Sequence, residues 1–204
     1  ALPLARLVKG RNDADAFIIA CYSDPGLHLC REATSRPVLG INECGVLTAL
    51  TRGEHFGVIA IRQRSIRRHV RYLRQMGLSQ RFAGERPLEM SVAETATGER
   101  TLDRMIEVGR ELRDRDGAEV IIMGCAGMAR HRKPLQDALA IPVIDPTQAA
   151  VANRTPDVVH REQHDLKQHR HFDCGTELQG IFQLGRFHRR AAERPPRDQE
   201  RGHA

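Results

Sequence analysis

Two segments of this chain follow one grammar. DAFIIAC, ending at Cys21, and AEVIIMGC, ending at Cys125, are each a short apolar run closed by a cysteine, a turn of small residues and a stretch of helical period. At nearly the same interval each then reaches a second β-forming run, Pro37-Val38-Leu39 in one case and Pro142-Val143-Ile144 in the other. A short apolar run bounded by turn residues reads as a strand buried on both faces. Strand, turn, helix and strand in that order form the unit of a largely parallel α/β sheet. The repeat therefore predicts two pseudo-symmetric α/β half-domains, each ending a strand on an equivalent cysteine.

Around the repeat, β-branched runs at residues 16–20, 37–41, 57–61, 119–123 and 142–144 are expected as strands. Helical period is expected over residues 25–34, 65–76, 99–115 and 129–139, and residues 2–9 read as an amphipathic helix. Asp24 before Pro25 is a possible N-cap for the first long helix. Residues 1–52 form a partial first half-domain carrying Cys21, residues 53–140 a second carrying Cys125, and residues 141–152 return to the first. The second copy has a strand and a helix upstream, at residues 57–61 and 65–76, for which the first has no counterpart. Repeat logic thus expects roughly 40 residues before Ala1. From residue 153 to 204 apolar periodicity fades, and six of the ten histidines lie beyond residue 159. This basic tail is expected to be largely disordered.

Composition narrows the function classes. With 40% hydrophobic residues in 204 the chain can bury a real core. No run approaches the ~20 apolar residues needed to span a bilayer, so a cytoplasmic protein is expected. The five cysteines include no CxxC pair, which fits reduced thiols better than a disulfide framework. A net charge of +6 says little about partners.

A thiol titrates near enough to neutrality to move protons, and backbone N–H groups at a helix start favour the thiolate. Cys21 precedes Tyr22-Ser23-Asp24-Pro25-Gly26, and Cys125 lies in Gly124-Cys125-Ala126-Gly127-Met128. Both turns could present N–H groups to a developing oxyanion. Ligands of open parallel sheets bind beyond the carboxyl ends of the strands, so two related halves would bring both thiols to one cleft. One thiolate and one thiol on opposite faces of a carbon acid are the requirements for inversion. A lone cysteine ending a strand is more often a small core residue, and only the pairing of two copies favours catalysis.

ACYSDPGL, GVIAIR, IIMGCAGM and PVID together resemble the hydantoin racemase branch of the Asp/Glu/hydantoin racemase superfamily, over about residues 13–152. The resemblance implies two α/β domains, catalytic cysteines at Cys21 and Cys125, no metal or coenzyme, a small carbon-acid substrate and a homo-oligomer. It also implies substrate contacts at Tyr22, Ser23, Asp24, Gly124, Ala126 and Gly127. Three departures stand out: an Asn-Pro-Asn-Thr type opening loop has no match, Ala60-Ile61 stands where Thr-Thr is usual, and the His- and Arg-rich tail replaces a final helix.

Other features have plainer readings. Cys30 and Cys44 are expected to pack in the core, and Asp145 either lines the pocket or caps the next helix. In RQRSIRRHVRYLRQM the arginines and His69 are expected on a solvated face. His160, His164, His169, His171 and Cys174 have spacings zinc would accept but no supporting fold signal. A racemase of hydantoins, amino acids or related carbon acids is the leading reading. An anion- or nucleic-acid-binding protein and an inactive fragment of the enzyme are the alternatives.

Overall fold

The computed structural model describes residues 1–97, 100–153, 173–175 and 184–186. Its core elements run in the order α1 (Leu2–Gly10), β1 (Phe17–Ile19), α2 (Leu27–Ala33), β2 (Val38–Gly40), α3 (Ile41–Ala49), β3 (Phe56–Ala60), α4 (Gln63–Gln75) and β4 (Phe82–Pro87). There follow α5 (Val92–Thr97), α6 (Thr101–Asp114), β5 (Val120–Met123), a 3-10 helix (Ala126–His131), α7 (Arg132–Leu139), β6 (Val143–Ile144) and α8 (Pro146–Ala152). Two three-residue strands, β7 (Asp173–Gly175) and β8 (Leu184–Arg186), come from the C-terminal region.

The strands form two sheets. One is ordered β4-β3-β5-β6 and parallel throughout; the other, β2-β1-β8-β7, pairs β1 with β2 in parallel and with β8 antiparallel. All four residues of β5 and all five of β3 are buried, as expected for strands covered by helices on both faces. The expectation of a disordered tail lies outside the described residues, apart from β7 and β8. So do His160, His164, His169 and His171. Among the described residues no helix is long and apolar enough to cross a membrane.

Each of the five expected strands forms, within a residue or two of its expected ends. The sequence reading lacked β4, whose FAGERP carries a glutamate, an arginine and a proline. It forms because partners from other elements satisfy it: Arg86 makes a fork of bonds to Asp116 (2.6 and 2.8 Å) and a third to Glu111 (2.8 Å). The reading also lacked α3. That helix buries Ile41, Asn42, Cys44, Gly45, Val46 and Ala49 and so has no polar face to mark its period. It packs between β2, β5 and α8. Asp145 takes the capping role, accepting from the N–H groups of Thr147 (2.8 Å) and Gln148 (3.3 Å) at the start of α8.

The two sheets share apolar ground. Ile18, Tyr22, Ile41, Cys44 and Val46 from the first half pack in one cluster with Phe56, Val58, Val120 and Ile122 from the second. Cys30 and Cys44 are both buried.

Candidate active site

Cys21 and Cys125 follow β1 and β5 at the carboxyl ends of their strands, and both are half-buried. The two turns are built alike. The Ser23 N–H is placed to favour a negative charge on the Cys21 sulphur, and the Gly127 N–H donates to the Cys125 sulphur at 3.4 Å; each group lies two residues beyond its cysteine. A negative charge on Cys21 bears directly on Cys125 and opposes its ionisation. The thiols expected to meet at one cleft are thus electrostatic neighbours.

Their resting ionisation differs from the expectation of lowered pKa values. Burial pushes both thiols up, and the single N–H on each sulphur offsets only part of that rise. At Cys21 the Asp24 carboxylate adds to the rise while Arg68 opposes it.

Asp24 does not cap the helix that follows it. Asp24 itself has φ +41° and Gly26 φ +74°, so the chain turns through the left-handed region before α2 begins at Leu27. The Asp24 carboxylate instead reaches the start of α3, where Oδ1 accepts from Asn42 N (3.0 Å) and Oδ2 from Glu43 N (2.9 Å). Gly40 makes this possible, since a Cβ there would collide with the Asp24 carboxylate. Burial lifts the Asp24 carboxyl to about 7, against the pull of its two N–H donors.

Two further residues expected to touch substrate are engaged elsewhere. Tyr22 is buried in the shared cluster, its ring edge-on to His69 with centroids 5.0 Å apart. The Gly124 N–H donates to Ile59 O at 2.8 Å, extending the β3–β5 ladder. Ala126 opens the 3-10 helix, and Gly127 faces the Cys125 sulphur and the Thr95 hydroxyl. Ser23 is partly exposed, and its hydroxyl lies 3.1 Å from His69 Nε2.

His69 is the residue that sequence reasoning misplaced. It is 4% exposed rather than part of the solvated face, with Nδ1 2.6 Å from Glu85 Oε1. Its spacing to buried Leu73 on α4 was the available signal. The exposed arginines of the same helix, at 64, 67, 68, 71 and 74, do occupy the solvated face. Among the described residues no group of three or more metal-ligating side chains comes together.

Comparison with known proteins identifies the scaffold. The family model for Asp/Glu/Hydantoin racemase matches residues 1–153. A hydantoin racemase of Paenarthrobacter aurescens is 37% identical over 141 residues, covering 68% of this chain and 59% of that protein. One from Rhizobium meliloti is 36% identical over 161 residues, covering 72% and 62%. The crystal structure of an allantoin racemase from Pseudomonas fluorescens superposes with a TM-score of 0.70 at 29% identity, over 74% of this chain and 66% of that one. The chain thus spans about three-fifths of the length of the two hydantoin racemases. By the match of its first 153 residues and by its fold, the chain belongs to the Asp/Glu/hydantoin racemase family.

Proposed function

We propose that the protein carrying this chain is a cofactor-independent racemase of a small carbon acid next to a carbonyl, with Cys21 and Cys125 as its two bases. The observation that carries this reading is the pair of like-built thiol turns, each with an N–H on its sulphur and each within electrostatic reach of the other. A thiolate on Cys21 discourages a second on Cys125. Coupling of that sign favours the state with one thiolate and one thiol over the doubly ionised state. Inversion needs that state: the thiolate removes the α-proton from one face, the thiol delivers its own to the other, and the roles exchange for the opposite enantiomer. Ser23, Ala126 and Gly127 hold substrate oxygen or nitrogen, while Tyr22, Asp24 and Gly124 shape the turns. Names of the relatives favour a hydantoin or a related ureide such as allantoin as substrate.

Deuterium uptake at the α-carbon tests the reading on 5-substituted hydantoins, allantoin and amino acids. Cys21→Ala and Cys125→Ala are each expected to abolish racemisation while sparing exchange of opposite enantiomers. Racemisation at the unaltered rate in both variants would sink the two-thiol mechanism. Because burial raises both thiols, turnover is expected to climb with pH beyond neutrality.

A further inference from the structure

Behind the Cys21 turn runs a line of buried polar groups that the two-thiol mechanism does not use. The Glu85 side chain, on β4, has no exposed surface, and its Oε1 lies 2.6 Å from His69 Nδ1. His69, from α4, presents Nε2 to the Ser23 hydroxyl at 3.1 Å. The Ser23 backbone N–H, two residues beyond Cys21, in turn favours a negative charge on that sulphur. Three elements distant in sequence therefore converge, link by link, on one thiol.

A buried carboxylate of this kind adds little to stability, because losing its hydration offsets much of the pairing. Glu85 Oε2 even lacks a partner among the described residues. What the pair supplies is direction. An ionised Glu85 keeps the imidazole proton on Nδ1, which leaves Nε2 to accept from the Ser23 hydroxyl. Tyr22, edge-on at 87°, fixes the plane of the ring. The charged and titratable groups around this line are Glu85 from β4, Arg68 from α4, and Tyr22 and Asp24 from the turn.

The other thiol is supported differently. Gly127 supplies the equivalent N–H to Cys125 but has no side chain by which that N–H could be held.

We infer that His69 and Glu85 are positioning residues for one member of the thiol pair: through the Ser23 hydroxyl they hold the Ser23 N–H on the Cys21 sulphur, so that the two bases are unequal. Calling Cys21 a base rests on the two-thiol reading above. The tether itself is a property of the folded chain and can be read without a substrate.

Alkylation by iodoacetamide across a pH series, resolved peptide by peptide by mass spectrometry, reports the thiolate at each cysteine. In Ser23→Ala and in His69→Phe, Cys21 is expected to react about tenfold more slowly at neutral pH, with its profile moved upward. Cys125 should keep its rate. The double variant should be no slower than the slower single, since both changes cut one line. Phe preserves the ring contact with Tyr22, and Ser23→Ala decides the matter alone if His69→Phe fails to fold. An unchanged Cys21 profile in Ser23→Ala overturns the inference, and so does equal slowing at Cys21 and Cys125, the mark of general loosening. Absence of α-carbon exchange in the unaltered protein would instead sink the racemase reading and leave the alkylation result standing.

Discussion

At Asp24 two demands meet in one side chain. The residue sits at φ +41°, where a Cβ is tolerated with strain, and its carboxylate closes the N-terminus of α3 from eighteen residues away. Asp24→Ala removes the cap and keeps the strain, and is expected to cost about 2 kcal/mol in chemical denaturation. Asn tolerates positive φ and retains one acceptor, so Asp24→Asn should lose less. The pH dependence has a definite sign. Burial raises this carboxyl from 3.8 to about 7, so the folded state binds its proton more tightly than the unfolded chain does. The proton-linked part of its contribution to stability is full below about pH 4 and is lost as pH rises to about 7, with a slope of at most about 1.4 kcal/mol per pH unit. Urea midpoints across that range should show the decline, and Asp24→Asn should remove this part of it. A rise in stability attributable to Asp24 over the same range would contradict the assignment.

At the scale of elements, the two glycines flanking Cys125 make a contrast. A Cβ on Gly124 would lie 2.6 Å from Ile59 O, inside the β3–β5 ladder, whereas one on Gly127 would meet nothing closer than 3.7 Å. Gly124→Ala is expected to force the strand ends apart and cost about 2 kcal/mol or more, and Gly127→Ala to stay within about 0.5 kcal/mol. Thermal melts of the two variants side by side check this. The same scale shows what was legible beforehand. The strands β1, β2, β3, β5 and β6 were readable because burial on both faces writes an unbroken apolar run. β4 was not, because Arg86 and Glu85 become acceptable in a strand only when α6, the turn after it and α4 supply Asp116, Glu111 and His69. Nor was α3, whose surroundings remove the polar face that a sequence reader relies on. The placement of both cysteines at the ends of strands was legible from their repeat. The roles of Asp24 and His69 were not, since each acts on a partner that only the fold brings near.

For the whole molecule, the joint cluster of Ile18, Tyr22, Val58 and Ile122 makes the two sheets thermodynamic partners. Truncating a fully enclosed member on either side, Ile18→Ala or Ile122→Ala, should cost about 3 kcal/mol and shift one common transition. With no tryptophan in the chain, the fluorescence of its two tyrosines, Tyr22 and Tyr72, can report on the packing between the Cys21 turn and α4, and far-UV circular dichroism on the helices. Coincident curves are expected in both variants. Two separated transitions would show that the halves unfold independently. Family membership accounts for the architecture, and the shared cluster for why the thiol turns keep a fixed relation to each other.

The grip of Asp24 on α3 gives that relation a mechanical form. Nine residues long, α3 carries the Cys21 turn at one end while its flank rests on α8 and β5. Through that one short helix the Cys21 turn is seated on the second sheet, so both cysteine-bearing turns rest on a common support.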